Sequence, residues 1–167
     1  PRRLITKLSA GASQQTWEQS LINSLKRLQV PKLDGLLLHS ASDLLAPDGA
    51  ALLDWMEGLR DRGLVDRIGI SIYEASELEG LPLDRLQLVQ LPLSVYDQRL
   101  ISDGTVGRFQ DLGIAVHVRS VLLQGLLLQP PHDWPDHLSP AFRVHHSRWL
   151  EHVHQQGLSP MASALGF

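Results

Sequence analysis

Residues 35–42 read GLLLHSAS. Leu36, Leu37 and Leu38 form an apolar run without alternation, the pattern of a strand buried on both faces of a parallel sheet. The run stops on His39 and small polar residues. A strand that ends on histidine has two readings. Either the imidazole tolerates a half-buried edge position, or the strand ends where a parallel sheet presents its chemistry. One residue does not decide between them, so the flanking sequence must.

Outward from this run, strand-like and helix-like segments alternate. Arg3 to Leu8 (RLITKL) favours a strand, and a Gly-Ala-Ser break follows at Gly11 to Ser13. Ser13 is placed to cap a helix reaching Leu28, with Trp17, Leu21, Ser24, Leu25 and Leu28 on one face. Pro31 ends that stretch, and Asp34 to His39 is the second strand. Gly49 to Arg62 reads as a helix with Leu52, Leu53, Met56 and Leu59 inward and Gly63 as its stop. Arg67 to Ser71, Leu86 to Gln90 and Ile114 to Ser120 are three further strands. Ser76 to Leu81 and Thr105 to Leu112 are helical, and a last helix begins near Phe142. A period of roughly 20 to 32 residues per unit suits parallel crossovers and not hairpins. An open doubly wound sheet and a barrel both fit this alternation. No G-x-G-x-x-G follows any strand, which argues against a Rossmann dinucleotide site.

Composition narrows the partners. A net charge of −3 over 167 residues, with no basic stripe, argues against nucleic acid. No apolar run approaches the roughly 20 residues that span a bilayer, so no membrane role is expected. The chain has no cysteine, which excludes disulfides and thiolate metal sites and suits a reducing cytoplasm, the expected location.

Polar groups collect at the C-terminal ends of the strands: Thr6 and Lys7, His39 and Ser40, Ser71 and Tyr73, Gln90, then Arg119 and Ser120. In a (β/α)₈ barrel that end carries the active site. Taken singly, Lys7 is a solvated strand terminus, His39 a hydrogen-bonded edge residue and Gln90 a loop residue. Together they favour a site. A lysine beside a histidine there suits proton transfer, since an ammonium lowers the pKa of a neighbouring acid and a neutral imidazole polarises a carbonyl.

Several blocks carry a more specific resemblance: ITK (5–7), SLKRL (24–28), LDGLLLHS (33–40), GLVDRIGIS (63–71), QLPLSVYDQR (90–99) and VRSVLLQGLLL (118–128). In this order they are similar to the aldo-keto reductases, in particular a bacterial branch. The resemblance implies an α/β fold, a partial (β/α)₈ barrel of about five consecutive parallel βα units. It implies NADP(H) bound across the C-terminal face and reduction of a small-molecule aldehyde or ketone. Lys7 matches the family lysine that lowers the pKa of a tyrosine acid, and His39 the histidine that orients the substrate carbonyl. Ser71 and Gln90 match positions that hold the nicotinamide carboxamide. Arg119 and Ser120 lie where the family packs against the nicotinamide ring and contacts the cofactor.

The sequence also departs from the family. Ile72 stands where an Asn often follows the serine, and Arg119 where many members carry an aromatic ring. The family's Asp and Tyr belong to segments before the lysine strand, and Tyr73 and Tyr96 come too late to replace them. The chain is therefore expected to be one domain, 1–167, truncated at both ends and inactive alone. The alternative is a non-catalytic half-barrel that binds itself or a partner through its open sheet edges. A third reading, a barrel lyase or isomerase using Lys7 as a Schiff-base amine, needs a desolvated lysine.

Outside these blocks, the Pro-rich stretch 129–140 (QPPHDWPDHLSP) reads as a long loop. Within it Trp134, with His132, is the candidate to line a substrate pocket. His145, His146, His152 and His154 cluster but lack a ligand geometry, so no metal is expected.

Overall fold

A computed structural model of the chain describes residues 3–10 and 13–167. Residues 1–2 and the Gly11–Ala12 part of the expected break lie outside the described residues. Strands β1 (Ile5–Leu8), β2 (Leu33–Leu38), β3 (Val65–Ser71), β4 (Leu88–Pro92) and β5 (Ala115–Arg119) form one parallel sheet in the order β1-β2-β3-β4-β5. The α-helices are α1 (Gln14–Leu28), α2 (Gly49–Asp61), α3 (Arg99–Ser102), α4 (Thr105–Asp111), α5 (Pro140–Gln155) and α6 (Pro160–Leu165). Each strand lies beside the one before it in sequence. That order belongs to consecutive units of a (β/α)₈ barrel, whereas a doubly wound sheet reverses direction at a switch point.

Two compact units make up the chain. The first comprises the described residues up to Leu91 together with Leu100–His117. The second comprises Pro92–Arg99 and Val118–Phe167.

In the first unit Leu33, Leu36, Leu37 and Leu38 of β2 are all buried, as an unalternating run requires. Register fixes which residues share a face. Lys7 lies opposite Leu37, Leu37 opposite Gly69, and Gly69 opposite Leu88. Gly69 permits a close approach of β3 to β4, because a Cβ there would stand 1.7 Å from the Leu88 carbonyl oxygen. Helices α1 and α2 meet through Trp17 and Trp55, whose ring centroids are 5.8 Å apart. The Trp55 indole Nε1–H donates to Glu18 Oε2 at 2.9 Å, so the buried ring keeps its polar edge satisfied. Past α2 the chain turns at Gly63 (φ 71°), and Leu64 N–H returns to the Leu59 carbonyl, closing the last turn as the sequence predicts.

Two expectations shift. Leu28 is 40% exposed, so the buried face of α1 rests on Trp17 and Leu21. The expected helix at Ser76 to Leu81 is a single 3₁₀ turn, Ala75–Leu78, held by Glu77 Oε1, which accepts from the N–H groups of Tyr73 and Glu74.

In the second unit, α5 starts at Pro140, two residues before Phe142, because Ser139 Oγ accepts from Phe142 N–H and caps it. The Pro-rich stretch contains a 3₁₀ turn, Pro131–Asp133, and Arg143 of α5 gathers its carbonyls. The guanidinium donates to Pro131 O, to Trp134 O (2.9 Å) and to Pro135 O (2.7 Å). No helix among the described residues is long and apolar enough to cross a membrane.

Candidate active site

The first unit assembles four of the expected residues. In a strand, side chains two apart share a face. Leu37, Gly69 and Leu88 lie in one row with Lys7, so His39, Ser71 and Gln90 form the next row on that same face, toward the strand ends. Ser71 and Gln90 are direct register partners, and Ile72 N–H donates to the Gln90 carbonyl just beyond. His39 remains tied to the sheet through its N–H and Leu8 O at 2.8 Å, while its side chain is exposed.

Lys7 stands one row lower, and its side chain spans the difference. Its Nζ donates to Ser71 Oγ at 3.2 Å across two strand intervals. The bland reading of Lys7 as a solvated terminus is therefore not what the structure has: the side chain is half-buried and directed along the sheet. Ser71 is 2% exposed. Accepting from the ammonium leaves the hydroxyl its own proton to donate. Gln90 beside it supplies both an amide donor and an amide acceptor. That pair is the donor set a carboxamide requires, so the residues present fit the nicotinamide end of the implied cofactor. Ile72, where the family often has Asn, is fully buried and apolar and adds nothing to that set.

Arg119 and Ser120 belong to the second unit. Arg119 is half-buried at the end of β5, and its carbonyl accepts from Leu93 N–H at 3.1 Å. Ser120 is exposed, and its backbone is left-handed (φ 62°). Leu123 (48°) and Gln124 (57°) share that conformation, and Gly125 follows at 94°. Left-handed backbone at a residue other than glycine costs about 1–2 kcal/mol, and such strain concentrates at ligand-binding segments. Ser120, Leu123, Gln124 and Leu126 line a groove of about 280 Å³ along this segment.

Trp134 has a packing role. It is 3% exposed, and its Nε1–H donates to Leu126 O at 2.9 Å. Its ring lies against Phe142 (5.2 Å) and His146 (4.4 Å), inside the unit and away from an open surface. His132 is exposed beside Asp133, 3.6 Å away. Asp97 and Arg99 form an ion pair, with Nε to Oδ1 at 2.9 Å.

Two features escaped the sequence reading. His117 on β5 is held below the usual imidazole pKa by burial and by Arg67. Tyr96 is bonded to a fully buried His146. Spacing gives no signal for either, since each depends on segments distant in the chain.

The sequence matches the aldo/keto reductase family over residues 3–165. The chain belongs to that family. No curated protein sequence matches it. Among solved structures, this reductase-family chain is similar to the glycerol dehydrogenase of Gluconobacter oxydans, with 20% identity and a TM-score of 0.69 over 97% of this chain and 58% of that one. An aldo/keto reductase of Klebsiella pneumoniae, in complex with NADP and acetate, gives 20% identity and 0.70 over 94% and 52%. The holo form of an aldo-keto reductase from Bacillus halodurans gives 23% identity and 0.64 over 81% and 48%. The likeness shows the fold. The chain spans about half the length of the structures it matches.

Proposed function

We propose that this chain is the central portion of an NADP(H)-dependent reductase of aldehydes or ketones. The observation that carries the reading is one face on which Lys7 Nζ meets Ser71 Oγ at 3.2 Å, with Ser71 and Gln90 in register and His39 in the same row. Family membership and the NADP held by the Klebsiella relative support the choice of cofactor.

In this reading the Ser71 hydroxyl and the Gln90 amide hold the carboxamide and thereby set which face of the ring meets substrate. When bound, the nicotinamide supplies the hydride. His39, exposed at its strand end, donates a hydrogen bond to the substrate carbonyl oxygen and fixes its approach. Lys7 keeps a positive charge on this face, which favours the ionised form of a neighbouring acid.

Within these 167 residues the proton donor itself is missing. The Tyr96 hydroxyl is bonded to His146, and Tyr73 sits on an exposed turn. The 167-residue chain is therefore expected to bind NADPH without turning over.

Intact mass of the protein in native cell extract, followed by an NADPH-oxidation assay with short aldehydes, tests the reading. A product near twice 18.6 kDa should reduce aldehydes, and Lys7→Met should lower its kcat by about 10²–10⁴. Ser71→Ala should weaken NADPH binding by about 3- to 10-fold, the worth of one neutral hydrogen bond. Aldehyde reduction indifferent to Lys7 and His39 would sink the assignment.

One observation favours a second reading, self-association without catalysis. In the second unit Leu165 is 64% exposed beside a cleft lined by Leu93, Val118, Val121 and Phe167. A concentration-dependent oligomer without NADPH affinity would select it.

A further inference from the structure

The second unit holds a phenol and an imidazole for which the proposed reaction has no use. The Tyr96 hydroxyl lies 2.9 Å from Nδ1 of His146, and the other ring nitrogen, Nε2, lies 3.0 Å from Gln129 O. A carbonyl only accepts, so Nε2 carries the proton. Nδ1 is then the acceptor, and the Tyr96 O–H donates to it. His146 is 0% exposed, so solvent does not compete for Nδ1. The next carboxylate along the chain, Asp97, is engaged by Arg99, which leaves the imidazole as the base for the phenol.

Indole rings flank the pair. Trp149 stands 6.0 Å from Tyr96 and 5.4 Å from His146, centroid to centroid, and Trp134 stacks on His146 at 4.4 Å. Trp149 is half-buried, whereas Trp134 is buried. Phe142 and the His145 ring, each 5.2 Å from Tyr96, cover the phenol further. Aromatic rings in contact exchange an electron readily. What limits a phenol as an electron donor is its proton. Losing the electron alone leaves a charged phenol cation, which is costly where water is excluded. A base already bonded to the O–H removes that cost, because the proton leaves together with the electron.

We propose that Tyr96 and His146 form a redox-active pair, a site of reversible one-electron oxidation fed through Trp149. A small one-electron oxidant, such as the azide or carbonate radical, takes an electron from Trp149 at the half-buried side of the cluster. Tyr96 returns an electron to that indole. In the same step the phenolic O–H bond breaks and an N–H bond forms at Nδ1. The products are a neutral indole, a neutral phenoxyl radical and an imidazolium. The imidazolium keeps both neighbours, donating from Nδ1 to the phenoxyl oxygen and from Nε2 to Gln129 O, so no segment has to move. A one-electron reductant such as ascorbate reverses the step: the phenoxyl gains an electron and the proton returns from Nδ1. Two features make this pair the end of the path. Cysteine, a readily oxidised side chain, is absent from the sequence, and the other tyrosine, Tyr73, lies in the first unit.

Pulse radiolysis of the intact chain with azide radicals tests this. Tyr73→Phe is the background, since it leaves Tyr96 as the one phenol. There the indolyl absorption should decay as phenoxyl absorption grows, at a rate independent of protein concentration. Adding Trp149→Phe should remove that growth. Adding His146→Gln instead, whose amide is a far weaker base, should slow it by at least about tenfold, a barrier increase of about 1.4 kcal/mol. In heavy water the background variant should also slow, because a proton moves with the electron. Indolyl decay without phenoxyl growth, growth that scales with protein concentration, or a rate unchanged by Trp149→Phe or by His146→Gln overturns the proposal. Should the His146→Gln chain fail to fold, the isotope comparison decides: equal rates in light and heavy water refute the pair.

Discussion

Adding a single methyl group to the sheet should separate close packing from open space. Gly69→Ala places a Cβ 1.7 Å from the Leu88 carbonyl oxygen, and contacts below 3.0 Å do not occur, so β3 and β4 must part by at least 1.3 Å (3.0 minus 1.7). The obstacle is backbone and has no rotamer to escape into. The register pairs Gly69–Leu88, Ile70–Val89 and Ser71–Gln90 all lie within that separation. Losing two or three ladder hydrogen bonds at about 0.5–1.5 kcal/mol each gives a cost of about 3 kcal/mol. At a urea slope of about 2 kcal/mol/M that lowers the midpoint by about 1.5 M. Two neighbouring glycines calibrate the result. At Gly35 a Cβ meets the Leu88 side chain at 2.8 Å, which can swing aside, so Gly35→Ala should cost about 1 kcal/mol. At Gly58 in α2 nothing lies within 4 Å, and Gly58→Ala should stabilise by about 0.5–1 kcal/mol. Urea denaturation of the three variants gives the order directly. A Gly69→Ala midpoint equal to that of Gly58→Ala would refute the close approach and, with it, the Ser71–Gln90 pairing on which the site rests.

Two further outcomes are open to measurement. Arg85 forks onto Glu57 (3.0 and 2.5 Å) and reaches Asp54 (2.6 Å). Arg85→Ala should destabilise by about 1 kcal/mol, less in high salt, because the network is partly exposed. Arg85 holds the Glu57 carboxyl below its ordinary 4.5, so this contribution is present above that pH and lost below it; a variant whose acid unfolding matches wild type would contradict the linkage. Burial pushes the Tyr96 phenol from 10.0 up to about 12, so its contribution is intact below pH 10 and lost as pH rises toward 12. Absorbance at the phenolate band should lose its latest-titrating component in Tyr96→Phe, and an unchanged curve above pH 11 would count against that burial.

What the sequence made legible follows physical lines. β2 was readable because burial on both faces leaves an unbroken leucine run, and α2 because its inward residues recur at helical spacing. The polar row His39, Ser71 and Gln90 was readable because strand ends are marked by a change of composition. The Lys7–Ser71 bond was not, since 64 residues separate the partners and only strand register brings them together. Trp134 illustrates the other limit. In a stretch with four prolines it reads as a loop residue lining a substrate pocket, yet the two rings it packs against, Phe142 and His146, come from the helix that follows. The short 3₁₀ turns were also missed, because a few residues are too few to show a period.

The four tryptophans are divided evenly, Trp17 and Trp55 in the first unit and Trp134 and Trp149 in the second. The first pair, at 5.8 Å and 49°, is close enough for its indole transitions to couple and imprint a signature on the near-ultraviolet circular dichroism. The second pair flanks an imidazole, whose cationic form quenches indole emission. Each unit thus carries its own pair of indoles, the first marked by ring–ring coupling and the second by an imidazole at its side.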